Sequence, residues 1–408
     1  MNNFLLNEGY DQSNTFYDKG FGTFIYQGKK KYIDLCCGGG SLLLGYNHPS
    51  IAKSFKKISK MHIANFAAPN KYAVELSRNI KKVLPQYSKF VMCNSGAEAN
   101  IKALRICRAV TKKNLIIMIS GSWHGSVDQL LFKTSKNNKL ETLSNGLDEN
   151  LINNLVIIPY NNYKESIKLL NKHLKNICCV MCEPIQGGLP DEKGSSYIKK
   201  ISEYCNKKNI IFYLDEIISG LRFEKGSFQN LQNINCHIST FGKSFGSGMP
   251  IGFIGISNKI LKIIKSNNLK IIYGGTFSAN SSSSFIGNEF LKYFLQNRDK
   301  IIKKINNITL YFANELNVFF EKNLIDVRVY HYQSMARIIF TKEIVINRLQ
   351  RDFLEKKKSD KISKLIEDLK VNGIKYPSNG VLLFNYSMNK KHIDYVINCI
   401  KQSIIKNF

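Results

Sequence analysis

The strongest constraint on this 408-residue chain is a series of short, wholly apolar runs separated by stretches of helical spacing. Residues 115–119, 155–158, 177–182, 210–214 and 251–256 are such runs, and 90–92 is a shorter one. Each has the length of a strand, and none alternates apolar with polar residues. A strand of that kind must be buried on both faces. Between them, 71–83 and 97–109 carry the spacing of amphipathic helices. Strands alternating with helices predict an α/β fold, with a mainly parallel sheet covered on both sides. Strand-like units at 23–26 and 32–35 precede the alternation, which begins near Ser50. Gly274-Gly275 and the serines 281–284 read as a loop before a long helix starting near Phe285. After about Arg298 the helices lengthen, with strands near 327–330 and 337–340, which predicts a smaller α+β domain.

Composition excludes several classes. Hydrophobic content of 44% and charged content of 22% describe a globular chain. The net charge of +29 invites a nucleic-acid reading. However, the lysines are spread along the chain, and no zinc-finger spacing or RNA-binding aromatic motif accompanies them. Runs such as 29–31 and 356–358 read as solvated turns and helix faces. The charge then serves at most to attract anionic substrates. The ten cysteines are too few for a disulfide scaffold in a chain this long. Cys36-Cys37 and Cys178-Cys179 read as buried strand residues. Cys179 and Cys182 form a C-x-x-C spacing with no second pair, inside an apolar run, so we read it as structural and expect no metal. With no signal peptide and no apolar run of membrane-spanning length, a cytoplasmic protein without membrane partners is expected.

Chemistry concentrates after the strand-like runs. Asp215-Glu216 closes the run 210–214, and Lys243 lies in the turn Gly242-Lys243-Ser244-Phe245-Gly246-Ser247-Gly248. A carboxylate at a strand end and an amine in a tight turn suit a pyridinium cofactor: the acid holds the ring nitrogen, and the amine forms a Schiff base with an aldehyde. A phosphate-binding P-loop would need glycine five positions before Gly242, where His237 stands. The plain alternative is an exposed loop lysine. Asn94-Ser95-Gly96-Ala97-Glu98-Ala99-Asn100 joins a strand to a helix, either as a phosphate cradle or as an ordinary cap on Ser95. Trp123-His124-Gly125, Glu183-Pro184-Ile185-Gln186-Gly187-Gly188 and Gly275-Thr276-Phe277-Ser278-Ala279-Asn280 complete the set. Ligands of open α/β sheets bind outside the carboxyl ends of the strands.

In this order and spacing the motifs resemble the class III, fold-type I pyridoxal 5′-phosphate (PLP) aminotransferases, and most closely the glutamate-1-semialdehyde 2,1-aminomutase branch. The resemblance runs from about Gly22 to at least Asn280. It implies a large PLP-binding domain (50–297) with a mainly parallel seven-stranded sheet. It also implies a small domain built from 298–408 and the N-terminal segment 1–49. By the same resemblance Ser95, Gly96 and Ala97 hold the phosphate, and Trp123 stacks on the ring where the family usually has tyrosine, with His124 beside it. Asp215 binds the ring nitrogen, Ile217 packs on the opposite face, Lys243 forms the Schiff base, and Glu183 lies in the pocket. Thr276 reaches the phosphate of a neighbouring subunit, which implies a homodimer with shared sites.

The substrate side departs from the family pattern. The aminomutase's N-terminal arginine has no counterpart, since the first arginine is Arg78. Cys37-Gly38-Gly39-Gly40-Ser41 replaces a Ser-Trp pair. Gly380 and Val381 stand where an acid is expected, and Gln186 is closer to the general aminotransferases. The expectation is an aminotransferase moving an amino group from a small donor to a small keto or aldehyde acceptor of anionic or sugar-like character. Arg222 and Arg337 are its candidate anion anchors. The alternatives are a true aminomutase making 5-aminolevulinate, or a non-catalytic basic binding protein on this fold.

Overall fold

The computed structural model describes residues 15–135 and 139–408. Residues 1–14, where the lack of a signal peptide is read, lie outside them. One sheet has seven strands: β1 (Tyr87–Cys93), β2 (Leu115–Ile119), β3 (Leu155–Ile158), β4 (Ile177–Cys182), β5 (Ile211–Asp215), β6 (Ile238–Gly242) and β7 (Gly252–Ser257). Their order is β1-β7-β6-β5-β4-β2-β3. All neighbours pair in parallel except β7, which runs antiparallel to both β6 and β1.

The unbroken apolar character of the runs in β4 and β5 has a direct cause. Every residue of β4 and β5 is buried. Side chains alternate between two cores, as the pleat requires. Ile117, Val180, Cys182, Phe212 and Leu214 pack with Leu170 of the helix Tyr163–His173 and Ile198, Ile201 and Cys205 of the helix Glu192–Lys207. Ile116, Met118, Cys179, Met181, Ile211 and Tyr213 pack with Ala99, Ala103, Leu104, Ile106 and Cys107 of the helix Gly96–Thr111. Cys179 and Cys182 thus face opposite cores as free thiols, as do both halves of the C-x-x-C spacing in any strand.

A four-stranded sheet joins Lys19–Phe21, Phe24–Gln27 and Lys30–Asp34 to Ile374–Lys375, so the chain's beginning pairs with its far end. Arg328–Tyr332, Met335–Ile339 and Leu382–Leu383 form a three-stranded sheet. A 42-residue helix, Ser281–Lys322, runs through the 297/298 division as a rod roughly 60 Å long. The serines 281–284 are therefore its first turn rather than a loop. The side-chain oxygen of Asn280 accepts the Ser282 and Ser283 amides, supplying the cap that a serine run lacks. Cys36 and Cys37 also differ from the strand reading: they are buried in a turn after Lys30–Asp34, and Cys37 has a φ of 49°. No helix among the described residues is long and apolar enough to cross a membrane.

Candidate active site

The carboxyl ends of β1, β2, β4, β5 and β6 share one edge of the sheet, and the loops leaving them carry the candidate residues. Lys243 directly follows β6 with a φ of 45°. Its Nζ donates to the Gly39 carbonyl at 2.7 Å. That carbonyl belongs to the turn Gly38-Gly39-Gly40, whose φ values of 58°, 65° and 90° require glycine. A Cβ on Gly40 would lie 3.4 Å from Lys243 Cδ and 3.2 Å from Leu383 Cδ1, so the turn rests on the lysine stem. Ser244 Oγ and Arg222 Nη2 both donate to the Gly40 carbonyl at 3.0 Å. Arg222 also donates to Phe384 and is wholly buried. It braces this turn.

Asp215 ends β5 beside Thr240 of β6 and is buried. Its Oδ2 lies 2.8 Å from His124 Nδ1 and 3.0 Å from Asn100 Nδ2, and its Oδ1 accepts the Ile217 amide at 3.1 Å. Because a carboxylate only accepts, His124 Nδ1 carries a hydrogen toward it. The backbone amide of Trp123 donates to Glu183 Oε2 at 2.9 Å, while its indole is 45% exposed. Burial pushes the Glu183 carboxyl up to about 7, against the pull of His124.

The loop after β1 leads into the helix Gly96–Thr111, capped by Ser95 Oγ on the Glu98 amide at 3.1 Å. Helix geometry leaves the Gly96 and Ala97 amides without carbonyl partners. A Cβ at Gly96 would come within 2.5 Å of Ile217 Cδ1, so Ile217 lies directly over this helix start. Behind it, a Cβ on Gly252 of β7 would sit 2.0 Å from the Ser95 carbonyl, so only glycine admits this crossing.

One chain therefore brings together an amine, a buried carboxylate with three donors, a half-open indole and a helix start whose first residue, Gly96, has no side chain. These residues fit PLP, whose phosphate suits the helix start and whose ring nitrogen suits the carboxylate. Thr276 stands apart. It is exposed, and its carbonyl accepts Asn65 Nδ2 at 3.0 Å. Its loop is nonetheless tied to the first two turns of the helix Gly96–Thr111, where Ser278 Oγ lies 3.3 Å from Lys102 Nζ and 3.5 Å from Glu98 Oε1.

Arg337, one of the two candidate anion anchors, lies in a cluster with two arginines that the sequence reading did not single out, Arg348 and Arg351. Arg337, on Met335–Ile339, donates to the Asn379 carbonyl, and its Nη2 is 3.8 Å from Glu355 Oε2. Arg351 donates to the Gly188 carbonyl and lies 3.4 Å from Glu355. Arg348 reaches the Gly121 carbonyl at 3.4 Å and pairs with Asp352 at 3.4 Å. A Cβ on Gly380 would be 2.7 Å from Arg337 Cζ, so glycine there makes room for the guanidinium. Burial lowers Arg337 to about 10, with Arg351 adding to the effect. Arg337 was itself a candidate from the sequence, whereas for Arg348 and Arg351 the missing acid at Gly380-Val381 was the available clue.

Comparison with known proteins identifies the class to which this fold and site belong. The class-III aminotransferase family profile matches residues 5–404, and the chain belongs to that family of PLP-dependent enzymes. Among its relatives, the glutamate-1-semialdehyde 2,1-aminomutase of Wigglesworthia glossinidia brevipalpis is 33% identical over 329 residues, 78% of this chain and 74% of that protein. The enzyme of the same name from Fusobacterium nucleatum is 28% identical over 96% of this chain and 90% of its own length. In fold, the chain is similar to an omega-transaminase from Sphaerobacter thermophilus (TM-score 0.88, 18% identity, covering 96% of this chain and 90% of that one). It is likewise similar to a glutamate-1-semialdehyde aminomutase from Pseudomonas aeruginosa (TM-score 0.85, 12% identity, 98% and 89%).

Proposed function

We propose that the protein transfers an amino group from a small amino donor to a small keto or aldehyde acceptor carrying an anionic group. Bound PLP supplies an electron sink for a carbanion at the substrate carbon. The protein's own residues do the rest. Lys243 Nζ would hold the cofactor covalently and, as an amine, would carry the proton at the reacting carbon. Asp215 offers an acceptor to the ring nitrogen and keeps it protonated. Ser95, Gly96 and Ala97 bind the phosphate, Trp123 and Ile217 enclose the ring, and His124 orients Asp215. Glu183 fixes the Trp123 backbone. Thr276 completes the phosphate site of a partner subunit in a homodimer, a role its exposure leaves it free to take. Ten unpaired thiols support a reducing, cytoplasmic setting.

The observation that carries the acceptor's charge is Arg337 against Gly380, where the family pattern has an acid. Three guanidiniums (Arg337, Arg348, Arg351) meet two carboxylates (Asp352, Glu355), leaving a cation to be matched. The test is a panel of acceptors that bear a carboxylate or phosphate, each paired with a neutral isostere. Arg337→Met should raise KM for the anionic acceptors by ten-fold or more while changing kcat little. Equal KM values across each pair would refute the anionic reading.

A second reading, the aminomutase, is favoured by the names of the relatives at 28–33% identity. Efficient turnover of glutamate-1-semialdehyde with no added amino donor would establish it over intermolecular transfer.

A further inference from the structure

We propose that Asn100 is a positioning residue that sets which oxygen of Asp215 faces the cofactor and maintains that oxygen as an acceptor. The proposal rests on the Asp215 role given above. Asn100 lies one turn into the helix whose start forms the phosphate cradle, and its side chain is completely buried. It touches three other segments. Nδ2 donates to Asp215 Oδ2 at 3.0 Å and to the His124 carbonyl at 2.9 Å. Oδ1 accepts from Thr240 Oγ1 at 2.7 Å and from the Tyr213 hydroxyl at 2.5 Å. The amide's orientation follows from its neighbours. A carbonyl and a carboxylate can only accept, so the end facing them must be the NH2; the two hydroxyls serve the oxygen. All four hydrogen-bonding positions of this amide are filled, so it is rigidly fixed.

The consequence falls on Asp215. Each carboxylate oxygen has two lone pairs. Oδ2 uses both, on Asn100 and His124, whereas Oδ1 uses one, on the Ile217 amide. The lone pair left for a ring N–H is therefore on Oδ1. Because Asn100 rides on the helix that starts at Gly96, a single rigid element fixes the phosphate end and the ring-nitrogen end of the site together. Neither an N-cap nor a strand-end acid alone would do so.

Asn100→Asp keeps the shape and the acceptor for Tyr213 and Thr240 but faces Asp215 with an oxygen. Two carboxylates at that distance share a proton. Trp123 is the single tryptophan of the chain, so quenching of its fluorescence reports PLP binding directly. Asn100→Asp is expected to weaken PLP binding at least ten-fold and to displace the pH midpoint of the bound cofactor's visible absorption by a unit or more. In an Asp215→Asn background the same substitution should change affinity less than two-fold. Should Asn100→Asp not fold, Thr240→Ala, which releases one side of the amide, should shift the same midpoint in the same direction by a smaller amount. Wild-type affinity and midpoint in these variants, or equal losses with and without Asp215, would reduce Asn100 to a structural residue and overturn the proposal. A wild-type protein whose Trp123 is not quenched by PLP would instead refute the underlying site.

Discussion

Glu183 offers the most exacting test of the site's electrostatics, because its predicted effect has a sign that runs against intuition. Its carboxyl is buried and rises from an ordinary 4.5 to about 7, with burial as the main cause. A carboxyl that holds its proton more tightly when folded makes the folded state bind more protons than the unfolded chain. Stability must then fall as pH rises from about 4.5 to about 7. Each pH unit of that displacement is worth about 1.4 kcal/mol, so the loss approaches ~3 kcal/mol above neutrality. Glu183→Gln removes the ionisation while its amide oxygen still accepts the Trp123 amide. Against that gain stands a weaker hydrogen bond, worth roughly 1 kcal/mol. The variant should therefore be more stable than wild type by about 2 kcal/mol at pH 8 and no more stable at pH 5. Denaturation midpoints of the cofactor-free protein at both pH values decide it. Glu216, which burial also raises to about 7, tilts both proteins equally and cancels in the difference. A Glu183→Gln protein destabilised to the same degree at both pH values would show that the carboxylate is well accommodated when charged.

Lys243→Ala should abolish the borohydride-reducible link between protein and PLP, detected as a mass increment on the wild type alone. Trp123→Phe should weaken PLP binding by less than about ten-fold, since an aromatic face remains, and Trp123→Ala by more; spectral titration with PLP distinguishes the two. Gly252→Ala must push the Ser95 carbonyl away from a Cβ that would lie 2.0 Å from it. The cost should be about 2–3 kcal/mol in stability, accompanied by looser PLP binding because the cradle moves with Ser95.

The large sheet was legible because its central strands are buried on both faces, and a run such as Ile177–Cys182 admits no other economical placement. That β7 would reverse direction was not legible: nothing in Gly252–Ser257 distinguishes a parallel from an antiparallel partner. The serines 281–284 misled because their helix propensity is poor, although the capping Asn280 immediately before them was the signal to weigh.

The candidate site divides along the same line. Ser95, Trp123 and Asp215 lie at or just beyond the ends of the runs 90–92, 115–119 and 210–214, and a sheet that fixes strand order also fixes where strand ends converge. The strand leading into Lys243, Ile238–Gly242, carries Ser239 and Thr240 and was not legible as an apolar run, so that lysine stood out only by its glycine-rich turn. Asn100 looked like the tail of a helix-start motif, and its role depends on Tyr213 and Thr240, which are 113 and 140 residues away. A polar residue on the otherwise apolar face of Ala99, Ala103, Leu104 and Cys107 was the available clue. Gly39, which receives the Lys243 amine, is 204 residues distant, and Arg337 meets its glycine across paired strands of the smaller part. Such contacts are made by packing between segments whose separation no periodicity encodes. Candidate residues at strand ends can be proposed from local sequence one at a time, whereas the arrangement around Arg337 becomes readable only once Gly380 is seen to be small because a guanidinium occupies the space beside it.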